Sequence, residues 1–159
     1  MVRTVPCLWF DTEGEEAAEF YVSVFPNSRI QQVTHYGPGS PRPEGTVLTV
    51  AFSLDGQDYL ALNGGPEFRF SEAVSFQVMC DSQEEVDHYW DALSVGGEEG
   101  NCGWLKDRFG LSWQIVPRIL PEVLGGDDPA SSERAMGAML TMHKLDVAEL
   151  RRAAEGSPS

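Results

Sequence analysis

The sequence predicts an α+β protein made of two copies of one β-α-β-β-β module, followed by C-terminal helices. Two echoes carry this reading. Asp11-Thr-Glu-Gly-Glu-Glu-Ala-Ala-Glu-Phe-Tyr21 returns as Asp81-Ser-Gln-Glu-Glu-Val-Asp-His-Tyr-Trp90, and Gly56-Gln-Asp-Tyr-Leu-Ala-Leu62 returns as Gly110-Leu-Ser-Trp-Gln-Ile-Val116. In both copies an acidic, amphipathic helix start comes before a glycine turn into a strand. A unit repeated in so short a chain implies internal pseudo-symmetry, and a cleft is expected where the copies meet. The repeat divides the chain into a two-module domain, 1–117, and a helical extension, 118–159. Module one spans about 3–64 and module two about 74–117.

Residues 3–10 read as a buried strand ending at Asp11. From Glu13 to Phe25 the apolar positions Ala17, Phe20, Tyr21 and Val24 recur at helical spacing, and Pro26-Asn27 ends the helix. Arg29 to Tyr36 is strand-like, and the prolines of 37–43 make that stretch a loop because they cannot donate to a ladder. Thr46 to Leu54 and Gln57 to Asn63 form a hairpin around Asp55-Gly56, a strong turn dipeptide.

The second copy opens with a strand from Ser75 to Cys80. Ser82 is a candidate N-cap with Glu85 three positions on, the spacing of a capping box. Val86, Tyr89, Trp90 and Leu93 form the apolar stripe of a helix that stops at Gly96-Gly97. Short strands are expected near 98–106, a turn at 107–110, and a last strand from Leu111 to Val116. Beyond Pro117 the reading is a loop containing Pro121, Gly125-Gly126 and Pro129, then helices near 131–144 and 146–154, with 156–159 frayed.

A length of 159 residues and 42% hydrophobic residues suit a folded domain with a sizeable core. The formal net charge of −14 repels phosphate backbones and anionic headgroups, so neither nucleic acid nor membrane is an expected partner. No stretch is long and apolar enough to span a bilayer, and the N-terminus lacks a signal-peptide core. Cys7, Cys80 and Cys102 are odd in number and lack C-x-x-C spacing, which points to a reduced, cytoplasmic protein.

Several segments carry a family resemblance: Leu8-Trp-Phe-Asp11, Glu16-Ala-Ala-Glu-Phe-Tyr21, Leu54-Asp-Gly-Gln57, Leu62-Asn-Gly-Gly-Pro-Glu-Phe68, Ser75-Phe-Gln77, Cys102-Gly-Trp-Leu-Lys-Asp107, Phe109-Gly-Leu-Ser-Trp-Gln114 and Met139 to Leu150. With its paired modules the chain resembles the PhnB-like branch of the vicinal oxygen chelate superfamily. That group includes glyoxalase I, extradiol dioxygenases, and fosfomycin- and bleomycin-resistance proteins. The resemblance implies a glyoxalase/bleomycin-resistance-like curved sheet and a homodimer. Some members of the branch are labelled 3-demethylubiquinone 3-methyltransferases. This chain has no Gly-x-Gly-x-Gly loop after a strand to cradle S-adenosylmethionine, so the resemblance is taken to the fold, with methyl transfer as a third reading.

The superfamily holds a divalent metal with four His, Glu or Gln ligands on the first and last strands of its modules. Carried over, those positions fall on Val5, Leu60, Ser75 and Gln114. Two apolar side chains, a hydroxyl and one amide do not hold a divalent cation against water, so neither metal nor other cofactor is expected. Strand alternation adds Cys7, Trp9, Leu62, Gln77, Met79 and Ser112 to the same cleft and turns Phe10, Phe76, Val78 and Trp113 the other way. Trp104 and Trp9 are candidates to stack on a ligand, and His35 is the histidine closest to the predicted cleft. His88 is read as a solvated partner of Glu84, His143 as a packing or surface residue, Cys102 as an inert thiol, and Asp107 with Gly110 as turn builders. The expected ligand is a small, partly apolar molecule, with turnover left open. The alternative is a metal-dependent lyase, isomerase or dioxygenase, which needs at least two of His35, His88, His143 and nearby carboxylates to converge.

Overall fold

The computed structural model describes residues 1–156. It divides into two compact units, Met1–Phe70 and the chain from Ser71 onward.

Unit one contains β1 (Cys7–Phe10), α1 (Gly14–Val24), β2 (Arg29–His35), β3 (Val47–Leu54) and β4 (Gln57–Asn63). Its four-stranded sheet has the order β1-β4-β3-β2, with β1 parallel to β4 and the rest antiparallel. One face is sealed: Leu8, Phe10, Val50, Phe52 and Ala61 are buried together with Ala17, Ala18, Tyr21 and Val24 of α1. The first strand is shorter than the expected 3–10. Pro6 has no N–H to add to a ladder, although its carbonyl still accepts from Leu60 N–H at 2.9 Å. The second strand stops at His35, but Tyr36 continues the pairing through Thr46 O and Gly45 N–H.

The hairpin turn places Asp55 and Gly56 at φ 45° and 89°, the left-handed conformations that a tight two-residue turn requires. Helix α1 begins at Glu13 with no side-chain cap of its own. Asn63 at the end of β4 does that work: its Oδ1 accepts from Gly14 N–H at 2.7 Å and its Nδ2 donates to Val47 O at 3.2 Å.

Unit two repeats the topology with β5 (Ser75–Cys80), α2 (Gln83–Ser94), β6 (Glu98–Glu99), β7 (Trp104–Lys106) and β8 (Ser112–Pro117). The order β5-β8-β7-β6 matches unit one strand for strand. The forward half of the capping box forms, Ser82 Oγ accepting from Glu85 N–H at 3.2 Å, while Glu85 Oε2 accepts from Asp81 N–H, one residue before the cap, at 3.0 Å. Val86, Trp90 and Leu93 of α2 are buried, as are Leu105, Trp113 and Ile115 on the sheet. Asp107 builds the last turn. Its Oδ1 accepts from Phe109 and Leu111 N–H at 2.9 and 3.1 Å, and its Oδ2 accepts from Trp113 Nε1 at 2.9 Å.

The extension differs from its expected outline. A short α3 (Leu120–Leu124) and α4 (Pro129–Met139) both carry their prolines in the first turn, where a missing N–H costs nothing. Asp128 caps α4 by accepting from Ala130 N–H at 3.0 Å, so that helix starts at 129 rather than 131, and it ends well before 144. Helix α5 (Val147–Glu155) is capped by Asp146 and closed by Gly156 at φ 75°. Of the fray expected at 156–159, Gly156 is instead held by N–H bonds to Arg152 O and Ala153 O, and 157–159 lie outside the described residues.

The extension packs on its own unit. Leu145 and Leu150 are fully buried, Gln83 bonds Leu145 O and Val147 N–H at 3.1 and 2.7 Å, and Cys102 and Gly103 N–H donate to Met142 O and His143 O.

Candidate functional site

In each unit the helix covers one sheet face, and the alternation of strands sends the other residues to the open face. In unit one the register pairs Cys7 with Leu60 and Trp9 with Leu62. Leu60 and Leu62 in turn face Ala51 and Thr49 on β3. Cys7 is exposed, and Trp9, Leu60 and Leu62 are half-buried, while Leu8, Phe10 and Ala61 between them are buried. This face is apolar.

Trp9 is also pinned. Its Nε1 donates to Gly65 O at 2.9 Å, and Phe68 meets its ring edge-on at 4.9 Å. A Cβ on Gly64 would stand 2.4 Å from the ring, so the glycine pair of the 62–68 segment exists to let the indole in.

In unit two Ser75, Gln77 and Met79 on β5 lie opposite Ser112, Gln114 and Val116 on β8, and Trp104 lies opposite Gln114 on its other side. The side chains join. Gln114 Nε2 donates to Ser75 Oγ at 2.8 Å, and Gln77 Nε2 donates to Gln114 Oε1 at 3.3 Å. A hydroxyl and two amides therefore form a row across the two strands, flanked by Trp104 and Met79. The opposite face holds Phe76 against Trp113, edge-on at 5.6 Å.

Beside the row, Glu72, Glu98, Trp104, Lys106 and Ser112 line a cavity of about 150 Å³. Lys106 forms an ion pair with Glu72. The hydrogen bond to Lys106 holds the Glu72 carboxyl below its usual range, and the same bond raises the Lys106 ammonium.

The model of one protein family, 3-demethylubiquinone-9 3-methyltransferase, matches residues 2–116. A PhnB protein from Bacillus cereus, provisionally named a 3-demethylubiquinone-9 3-methyltransferase, is 31% identical; the match covers 73% of this chain and 99% of that one, with a TM-score of 0.67. This chain belongs to the PhnB-like family. With it the chain belongs to the vicinal oxygen chelate superfamily and has the glyoxalase/bleomycin-resistance-like fold. Protein PA1353 from Pseudomonas aeruginosa shares the fold at 20% identity and TM-score 0.62, covering 74% of this chain and 98% of its own. The fosfomycin resistance protein FosX from Listeria monocytogenes does so at 15% identity and TM-score 0.50, covering 74% and 93%. No curated protein matches.

A superfamily metal would sit on the first and last strands, and the donor sets there do not fit one in this PhnB-like chain. Val5 lies before β1 and is 41% exposed, so the residue facing Leu60 is Cys7. Unit two has the same offset, with Gln77 rather than Ser75 facing Gln114, so the register keeps the face and moves the partner by two residues in both units. A soft thiol and a leucine are no ligand pair for a hard cation. In unit two Gln114 faces Gln77 and reaches Ser75 diagonally, a set of two neutral amides and a hydroxyl with no His or carboxylate to hold a divalent cation against water. Among the described residues no group of three or more His, Cys, Asp or Glu gathers in a way that could hold a metal ion.

The remaining predicted residues fall apart from these rows. His35 ends the edge strand β2, past a register irregularity, and is exposed, whereas Cys7 and Trp9 occupy the opposite edge strand β1. His88 is exposed on α2 with its ring edge-on to Tyr89. His143 Nδ1 shares a hydrogen bond with Gly100 O at 2.7 Å. Cys102 is half-buried at φ 58° in the turn that receives the extension. Sequence reasoning missed Asn63, Gly64, Lys106 and Glu72 as local determinants. Asn63-Gly64-Gly65 after a strand was a visible signal, since a turn signal directly after a strand marks the backbone as specialised. The Glu72–Lys106 pair had none, because 34 positions separate the two residues in sequence.

Proposed function

We propose that this PhnB-like protein binds a small, partly apolar organic molecule on the open sheet faces, with no metal needed to hold it. The observation that carries the reading is the row Ser75–Gln114–Gln77 between Trp104 and Met79. Amides and a hydroxyl can exchange their mutual bonds for bonds to a ligand, and the flanking apolar surfaces supply the burial. The apolar face of Cys7, Trp9, Leu60 and Leu62 in unit one supports the same chemistry. In this reading the protein is a binder in which no side chain need react, because the row holds no general base.

The metal-dependent lyase, isomerase or dioxygenase reading requires converging His and carboxylate ligands, and the side-chain geometry offers it no support. Methyl transfer, the reaction in the family description, requires measurable affinity for S-adenosylmethionine, and calorimetry tests it directly.

The deciding experiment pairs elemental analysis of protein purified without chelator with an NMR screen of uncharged, partly apolar fragments. The expected result is less than stoichiometric Mn, Fe, Ni or Zn and fragment-induced shifts at the Gln77 and Gln114 side-chain amides. One metal per chain, or a screen that moves neither amide, overturns the proposal.

The same proposal places the protein in the cytoplasm as a homodimer. Three free cysteines support a reducing compartment. Met136 and Leu140, one turn apart at the end of α4, are 41% and 63% exposed and give a second copy an apolar contact. A monomeric mass in light scattering removes the dimer. No helix among the described residues is long and apolar enough to cross a membrane.

A further inference from the structure

The hydroxyl of Ser112 is the one polar side-chain atom among the described residues that is buried without a hydrogen-bond partner. Ser112 is 1% exposed and lies in the wall of the 150 Å³ cavity beside the Ser75–Gln114–Gln77 row. A buried hydroxyl left without a partner costs free energy, so the position asks for something to meet it.

Three further observations describe that partner. First, the polar rim is acidic: Glu72 and Glu98 stand with a single cation, Lys106, which lies opposite Glu98 in the strand register and is ion-paired to Glu72. Glu99, whose carboxylate accepts from Trp90 Nε1 at 3.1 Å, also lines the cavity and adds to this negative charge. Negative charge is therefore in excess. Second, Trp104 supplies an aromatic wall. The other three indoles donate to Gly65 O, Glu99 Oε1 and Asp107 Oδ2, whereas Trp104 Nε1 has no partner among the described residues. Third, the volume suits a group of a few heavy atoms and no more.

We propose that this cavity takes the ammonium end of a small aliphatic amine, with Ser112 Oγ accepting one N–H and Glu98 supplying the counter-charge. Trp104 packs along the alkyl chain and lends its ring face to the cation. The Glu72–Lys106 pair closes the rim and leaves Glu98 as the carboxylate free to answer a new cation. A carboxylate ligand meets an excess of like charge here and is rejected. This inference rests on the reading that the open face of unit two binds a small molecule, and names the chemical class of one end of it.

The test uses n-butylammonium and butyrate, equal in length and opposite in charge, titrated into the full-length protein while the Trp104 indole N–H is followed by NMR. n-Butylammonium is expected to shift that resonance saturably in the millimolar range, and butyrate to leave it in place. Ser112→Ala removes one charge-assisted hydrogen bond and is expected to weaken the amine by about tenfold. Glu98→Gln, on the exposed two-residue strand β6, is expected to weaken it by about threefold while leaving the melting temperature unchanged.

Equal response to both probes, or an n-butylammonium titration insensitive to both substitutions, overturns the proposal. If n-butylammonium moves nothing while uncharged fragments shift the Gln77 and Gln114 amides, the amine assignment falls and the broader binding reading stands. If neither moves anything, both fall.

Discussion

Removing the Asp107 carboxylate should destabilise the second unit more than any other single exposed or buried polar change in its turn. Asp107 is 3% exposed, and its two oxygens accept from Phe109 N–H, Leu111 N–H and Trp113 Nε1 at 2.9, 3.1 and 2.9 Å. In Asp107→Ala all three donors lose a charged acceptor. Leu111 and Trp113 are each 2% exposed, so water does not easily replace it for them. Two buried donors left unpaired cost about 1–3 kcal/mol each, and deleting a buried charge returns part of its desolvation penalty, for a net loss of about 3–4 kcal/mol. At about 2–4 °C per kcal/mol for a chain of this size, the melting temperature falls by about 10 °C. Thermal denaturation by circular dichroism reads this directly. Asp107→Asn is the control: its oxygen still accepts from the turn, but its NH₂ then faces the Trp113 N–H, donor against donor, so it should lie between Ala and the parent. A drop of less than about 2 °C for Asp107→Ala refutes the view that this carboxylate holds the turn and the indole together.

Gly64→Ala drives a methyl group to 2.4 Å from the Trp9 ring and should destabilise by about 1–3 kcal/mol, whereas Gly137→Ala, in α4 with nothing within 4 Å, should be neutral or stabilising by up to about 1 kcal/mol; urea denaturation of both compares them. Burial, with the charges of Glu85 and Asp81 adding to it, pushes the Cys80 thiol up to about 12, so Cys80 should resist thiol reagents at pH 8 while exposed Cys7 reacts, as mass spectrometry of labelled peptides will show. Because the folded pKa is raised, the Cys80 contribution to stability is complete below about pH 9 and is lost as pH rises from there through about 12. Gln83→Ala removes the bonds to Leu145 O and Val147 N–H, and hydrogen exchange should speed up across 142–155 while β8 stays protected; unchanged exchange there refutes the tether.

The repeat and its alternation were legible because both are local patterns. Asp81 to Trp90 shows its N-cap and its apolar stripe within one helix, and Ser82 caps α2 while Val86 and Trp90 are buried. The face assignment also came from period-two alternation: Cys7 stands with Leu60, Trp9 with Leu62, and Gln77 with Gln114. What stayed hidden was set by pairs distant in sequence or by single missing atoms. Counting from Asp11 puts Val5 on the strand, since nothing in a propensity argument shows that Pro6 shortens it. Helix α4 starts two residues earlier than its pattern suggests because Pro129, a breaker inside a helix, opens one when Asp128 stands before it as the cap. Asn63 completing the N-terminus of α1, and Lys106 meeting Glu72, depend on where folded strands and loops arrive, which no window of sequence contains.

The two units share one topology and have put it to different uses, and the difference lies in the segment that leaves the last strand of each. After β4, Asn63 turns inward to cap α1, and the glycines behind it release the chain over Trp9, so unit one covers its own aromatic residue with Gly65 O and Phe68. After β8, Pro117 leads instead into helices that pack on α2 and the turn at 102–103, which leads into Trp104 beside Gln114. Nothing among the described residues caps the Ser75–Gln114–Gln77 row as Phe68 caps Trp9. A row whose amides and hydroxyl bond among themselves keeps donors and acceptors in reserve, and Ser112, paired with Ser75 on the same two strands, has a buried hydroxyl without a partner. Unsatisfied polarity is therefore concentrated on the open face of unit two, where the repeat would otherwise place ordinary sheet residues. Functional sites are where folds accept such local cost, so under the proposed binding function this face rather than its pinned counterpart is where ligand selectivity is to be sought.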